Sequence, residues 1–212
     1  MDEASWSSTL GEVQDVSGAG NNGTAMVDAT TGATAKFGRA GLFGGEGYVS
    51  VTSSDSLHAM GAFSVVAWIY PTFLDGTTRS PGIVAKRWAW NDSSEFALYL
   101  GVENRLWVDI MTEDNRFSSA TVFHMAQWYH VAVVFDGSLS AEKRVSVYVD
   151  GQLDTTATES SSVVVPFDSP IEVGRLRDGG QGFIGSIDEV ALWQRALSAA
   201  EVLSIYERTS PL

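Results

Sequence analysis

Residues 182–195 read GFIGSIDEVALWQR, and the rest of the chain is organised around them. Ile184, Ile187, Val190 and Leu192 give the stretch the apolar content of a strand, and Gly182 and Gly185 loosen its lead-in. Asp188 and Glu189 sit inside it. A charge within an apolar strand is costly unless something pairs with it, so Asp188 is the first residue to explain. The chain then leaves through ALSAAEVLSIYER, which reads as a short helix. Ser198 is its N-cap, and Glu201 stands three residues on, the spacing of a capping box.

Outward from that stretch the sequence keeps to short apolar runs. AFSVVAWIYP (62–71) places Phe63, Val65, Ala67 and Ile69 on one face and Val66, Trp68 and Tyr70 on the other. Both faces are apolar, so this strand is expected to be central and covered on both sides. KFGRAGLFGGEGYVSVT (36–52) reads as two strands joined by a tight turn, and further strands are expected at 83–88, 96–100, 105–110, 127–135, 144–150, 163–167 and 171–174. Asp136-Gly137 and Asp150-Gly151 are turn signals. Residues 1–24 read as a long loop, and TTATESSS (155–162) as an exposed one. With 21 glycines, 44% hydrophobic residues and 212 residues in all, the chain is expected to be a single all-β domain spanning 1–212, with a core from about 10 to 207.

Charge and composition exclude several functions. Thirteen basic against 26 acidic residues give a net charge of −13, which disfavours nucleic acid and anionic lipid as partners. There is no cysteine, hence no disulfide or thiol chemistry. No run of about 18 apolar residues occurs, so membrane insertion is not expected. Catalytic signatures are also missing. Asp188 and Glu189 are neighbours pointing to opposite faces, and no Glu-x-Asp-x-x-Glu string places two carboxylates side by side for glycoside hydrolysis. His130 with Tyr148 gives only a faint hint of a lyase, and the expectation is a packed histidine and no enzyme.

QWYHVAVVFDG, VSVYVDGQL, IEVGR and GFIGSIDEVALWQRALSAAEV follow one another in an order that resembles the LamG-like jelly-roll domain of the concanavalin A-like lectin/glucanase superfamily. DVSGAGNNGT resembles that family's Asp-x-Ser-Gly loop, and KFGRAGLFGGEGYVSV its Phe-x-Gly-x-x-Tyr-Val strand pair. The resemblance covers about residues 10–207 and implies a jelly-roll sandwich of two antiparallel sheets with a short C-terminal helix. It also implies a structural Ca²⁺ held by Asp15, the Gly45 carbonyl and Asp188. That set agrees with the chemistry of the residues, since hard oxygen donors from glycine-rich loops suit calcium. The alternative is that Asp188 accepts backbone hydrogen bonds with no metal.

Sugar binding needs flat aromatic rings for the apolar faces of pyranoses and planar polar groups for the hydroxyls. Tyr99, Trp107 and Asp109 alternate onto one sheet face. Trp88 and Trp90 flank a turn containing Asn91 and Asp92. Tyr148 is a further aromatic candidate. Arg79, Arg87, Arg175 and Arg177 are basic residues on an acidic protein; they would either bind acidic groups or pair with local carboxylates. The expected ligand residues are Trp88, Trp90, Asn91, Tyr99, Trp107, Asp109, Tyr148, Arg175 and Arg177. The expected protein is a calcium-stabilised, non-catalytic carbohydrate-binding module, secreted or at the cell surface and tethered to other domains, with a polysaccharide as partner. An adhesion or spacer module is the alternative, and a polysaccharide lyase or hydrolase ranks third.

Overall fold

The computed structural model describes residues 1–77, 80–87, 94–176 and 181–212. In chain order its strands are β1 (Gly23–Met26), β2 (Thr30–Gly32), β3 (Ala40–Gly44), β4 (Tyr48–Val51), β5 (Ala62–Pro71), β6 (Gly82–Arg87), β7 (Ser94–Leu100) and β8 (Arg105–Ile110). There follow β9 (Thr112–Val122), β10 (Tyr129–Asp136), β11 (Val145–Val149), β12 (Gln152–Ala157), β13 (Ile171–Val173), β14 (Arg175–Leu176), β15 (Gln181–Gly182) and β16 (Ile184–Trp193). One helix, α1 (Ala199–Tyr206), ends the chain. A front sheet runs β1-β4-β13-β6-β7-β8-β9 and a back sheet β12-β11-β10-β5-β16-β3-β2, while β14 and β15 form a small hairpin. All pairings are antiparallel, and the architecture is a jelly-roll sandwich.

The alternation places the core. Phe63, Val65, Ala67 and Ile69 of β5 meet Phe96, Leu98 and Leu100 of β7 between the sheets, and the Phe63 ring stacks on Phe96 at 5.4 Å. β5 is fourth of seven in the back sheet. Its other face, with Val66, packs under Leu197 and Val202 at and just before α1. Ser198 accepts from the Glu201 amide while the Glu201 side chain accepts from the Ser198 amide, so the capping box closes as the sequence predicts.

Four expectations need correction. The two strands of residues 36–52 do not form a hairpin: β3 joins the back sheet and β4 the front, so the glycine turn between them carries the chain across the sandwich. Residues 163–167 are not a strand; Val164 is buried while Val163 and Val165 are exposed, and Pro166 supplies no amide for a ladder. Residues 155–157 belong to β12, and β9 is a strand where polar residues hid the alternation. The opening segment is not simply a solvated loop, because Trp6 is buried in the main core against Gly41 and Phe43.

That segment also binds the two sheets together. Thr31 of the back sheet donates to the Ala4 carbonyl, Asp2 accepts from the Arg39 amide, and Val13 bridges to Gly23 at the edge of the front sheet. At the opposite edge the Asp154 carboxylate of β12 accepts the amides of Ala120 and Thr121 from β9, at 2.6 and 3.0 Å. Both flanks of the sandwich are thus closed by hydrogen bonds between the sheets.

Candidate functional site

The three residues expected to hold a metal stand apart in the fold. The Asp188 carboxylate faces away from the core and accepts the backbone amides of Lys36, Phe37 and Glu189 at 2.9, 3.0 and 2.9 Å. Three N–H groups turn their positive ends toward the place a cation would occupy, which is the opposite of a calcium cage. Burial raises the Asp188 pKa while the amides oppose that rise. Asp15 closes its own turn, accepting from the amides of Ser17 and Asn21. The Asn21 side chain bonds to Ser54 and Ser56, beyond the far end of β4 from Gly45. A four-residue strand spans about 13 Å, which keeps Asp15 and Gly45 apart. Gly44 pairs with Ile184, four residues before Asp188, which sets Gly45 and Asp188 apart by a similar length. The Gly45 carbonyl packs against Gly182, where an added Cβ would come within 2.1 Å of it. The structure therefore does not bring Asp15, Gly45 and Asp188 together. Asp188→Asn is expected to cost about 1–2 kcal/mol by weakening an acceptor of three amides. The cost should be equal in calcium and in chelator, as thermal melting would read.

The structure brings Tyr99, Trp107 and Asp109 onto the outer face of the front sheet. Strand alternation puts Tyr99 beside Trp107, and Ala97 beside Asp109. Arg116 of β9 lies directly opposite Asp109. The buried Asp109 carboxylate accepts Tyr99 Oη at 3.0 Å and Arg116 Nε at 3.2 Å on Oδ1, and Arg87 lies at 3.5 Å from Oδ2. Burial raises the Asp109 pKa, opposed chiefly by the Arg116 charge. Burial and the nearby Asp109 charge push the Tyr99 phenol upward, so it remains a donor. The half-buried Trp107 ring packs on Gly101, where a Cβ would lie 2.6 Å from Cδ1, and its Nε1 donates to the Val102 carbonyl. The Arg116 guanidinium stands 6.0 Å from the ring centroid. These contacts fix the indole plane while leaving part of it open to solvent.

Arg175 lies on the same face but is already paired. Its guanidinium makes two hydrogen bonds to Glu172, at 2.9 and 2.8 Å, and sits 3.3 Å from the Tyr48 ring centroid. Tyr148 is a correction. It lies in β11 of the back sheet, buried under the C-terminal helix with Val66, Ala132 and Val202, because the alternation of β11 turns Val145, Val147 and Val149 inward. Trp88, Trp90, Asn91 and Arg177 lie outside the described residues, as do Arg79 and Asp92. Sequence reasoning missed Arg116, Glu172 and Tyr48. Arg116 could have been found had the Asp109–Arg116 pairing across a tight β8–β9 turn been anticipated.

Glu172, Ala85, Ala97 and Asp109 form one row across β13, β6, β7 and β8. Three strand spacings separate its two acids, about 14 Å. Paired carboxylates in glycoside hydrolysis stand roughly 5–5.5 or 6.5–9.5 Å apart. His130 lies on the back sheet between Trp68 and Tyr206, fully buried, with neither ring nitrogen hydrogen-bonded among the described residues. No group of three His, Cys, Asp or Glu suited to a metal occurs among the described residues.

No curated protein matches the chain. Solved structures do, at identities that establish the fold alone. Domain 4 of AbnA, a GH43 extracellular arabinanase from Geobacillus stearothermophilus solved in complex with arabinotriose, superposes with a TM-score of 0.66 at 20% identity, covering 88% of each chain. The binding domain of Paraclostridial mosquitocidal protein 1 superposes with a TM-score of 0.73 at 13% identity, over 95% of this chain and 51% of that one. Botulinum neurotoxin type C, whose cell entry depends on interaction with two ganglioside molecules, gives 0.68 at 17% identity over 95% and 50%. The chain thus spans about half the length of the toxin chains it matches. The Laminin_G_3 family matches residues 43–203, and the chain belongs to that family of the concanavalin A-like lectin/glucanases superfamily.

Proposed function

We propose that this protein is a non-catalytic carbohydrate-binding module of a larger secreted or surface chain, with its platform on the outer face of the front sheet at Trp107. The observation that carries the reading is the Trp107 indole itself: partly open, held flat on Gly101, and adjoining the Asp109–Tyr99–Arg116 network. An exposed ring fixed in one plane stacks on a sugar at low entropic cost. The network beside it is buried at Tyr99 and Asp109 and positions the part-exposed Arg116 guanidinium next to the ring. Matching folds in an arabinanase domain solved with arabinotriose and in a ganglioside-dependent toxin support a saccharide as the class of ligand. The 14 Å separation of Glu172 from Asp109 supports binding without hydrolysis.

The test is retention of the protein on immobilised arabinan, xylan, mannan, galactan and mixed-linkage glucan. At least one is expected to bind, with no new reducing ends on long incubation. Trp107→Ala should weaken that binding tenfold or more at a temperature well below its own melting midpoint. Binding to none of the five, or full binding by the variant, would overturn the reading.

A further inference from the structure

At one open end of the sandwich a small cleft of about 20 Å³ is lined, among the described residues, by Phe73, Leu74, Asp75 and Gly76 after β5, and by Pro81, Leu100, Gly101 and Asn104 of the front sheet. Gly182 and Ile184 close it from the β15–β16 side. Its walls are mostly apolar, and two polar side chains enter it with capacity to spare. Asp75 accepts the Thr77 amide on Oδ1, which leaves Oδ2 uncommitted among the described residues. The Asn104 amide makes no side-chain hydrogen bond among them; its oxygen rests over Gly76, 3.3 Å from where a Cβ would be.

The backbone that places Asn104 is unusual. Glu103 and Asn104 are consecutive non-glycine residues in the left-handed region, with φ of 61° and 54°. They are held there by Glu103 donating to the Gly76 carbonyl at 3.1 Å and by the Asn104 carbonyl accepting the Phe123 amide at 2.7 Å. Strain of this kind persists where the surroundings fix it, and it gathers at binding sites. The same turn, Gly101–Asn104, carries the Trp107 ring on its other side, through Gly101 and the Val102 carbonyl. The platform and the cleft are therefore the two sides of one turn.

We propose that the cleft is a second subsite for the same saccharide, taking a single hydroxyl of a neutral sugar unit from a chain that lies on Trp107 and crosses the Gly101–Asn104 turn. Phe73 stands at the rim, 43% exposed. The Asp75 Oδ2, uncommitted among the described residues, accepts sugar hydroxyls, and the Asn104 amide both donates and accepts. A carboxylate in the cleft of a protein of net charge −13 excludes uronic and sulfated sugars and selects neutral ones. This inference rests on the platform at Trp107, and chain length separates the two.

The probes are the tri- and hexasaccharides of whichever of the five neutral polysaccharides is retained, titrated by calorimetry. The variant is Asp75→Asn/Asn104→Gly, which keeps the Thr77 turn and suits the left-handed backbone, so the fold should survive. It is expected to bind the hexasaccharide about tenfold more weakly and the trisaccharide within twofold of the parent, whereas Trp107→Ala weakens both. Unchanged hexasaccharide binding by the double variant would overturn the cleft and leave the platform standing. Unchanged binding by Trp107→Ala, or no retention on any polysaccharide, would remove the platform and the cleft with it.

Discussion

Replacing Glu95 with glutamine is expected to lower stability by about 3–5 kcal/mol, the largest effect of any single conservative change in this protein. Glu95 and Lys86 are both fully buried. The carboxylate accepts Lys86 Nζ at 2.5 Å and the amides of Ala59 and Phe167 at 2.5 and 2.8 Å, with His58 Nδ1 at 2.7 Å. Lys86 also donates to the Phe167 carbonyl. One side chain thus ties the segment after β4 and the segment before β13 to the front sheet. Burial alone would raise the Glu95 pKa, but the Lys86 bond and the two amides outweigh it and hold the group below its usual value. Glutamine keeps the shape but removes the charge that balances Lys86, and an uncompensated buried ammonium is the costly product. At 2–4 °C per kcal/mol for a chain of this size, the midpoint should fall by roughly 10 °C. Adding Lys86→Met should recover part of the loss, as a double-mutant cycle would show. It should not recover all of it, because the Ala59 and Phe167 amides still need a strong acceptor. A single-variant loss below about 1 kcal/mol would mean that the cluster contributes little.

The second large effect is a pH dependence carried by His130. Burial first, and then the Lys36 charge, lower its pKa from 6.5 to about 4. The ring lies edge-on to Trp68 at 5.3 Å and 6.0 Å from Tyr206. Lys36 caps the Trp68 ring at 3.8 Å, and Asp150 accepts the His130 backbone amide. Between pH 6.5 and 4 the unfolded chain binds a proton at this residue and the folded chain does not, so stability falls as pH falls through that window. The full shift corresponds to about 3 kcal/mol. Burial raises the pKa of Asp150, Asp188 and Glu189, which act in the opposite sense. The decisive quantity is therefore the difference between the parent and His130→Phe in denaturant midpoints across pH 4–7. The variant should lose a large part of the acid-side slope while remaining at least as stable at pH 7, since both imidazole nitrogens are buried without partners. Parallel curves for the two proteins would refute the assignment.

Both effects arise from buried polar groups that sequence reading treated lightly. His130 was legible as a packed residue, because alternation in β10 puts it opposite Val131 and Val133 of the core. Its neighbours Lys36 and Tyr206 come from opposite ends of the chain, and no local pattern foretells them. Glu95 and Lys86 look like ordinary surface charges at strand ends. Only the arrival of Ala59 and Phe167 makes them interior.

By itself the sequence determined the strands with clear alternation, the inward faces of β5, β7 and β8, the capped C-terminal helix and the family. These depend on side-chain periods of two and on a cap spacing of three, both complete within a few residues. The tertiary structure alone decided which sheet each strand joined. Alternation distinguishes the two faces of a strand but not the sheet that receives it, so Tyr148 and Tyr99 look alike in sequence and end on opposite sides of the molecule. It also decided what satisfies Asp188. The Lys36 amide, 152 residues away, takes the role that the resemblance gave to a metal ion, because a buried carboxylate is stabilised by any converging set of donors and its own sequence does not say which.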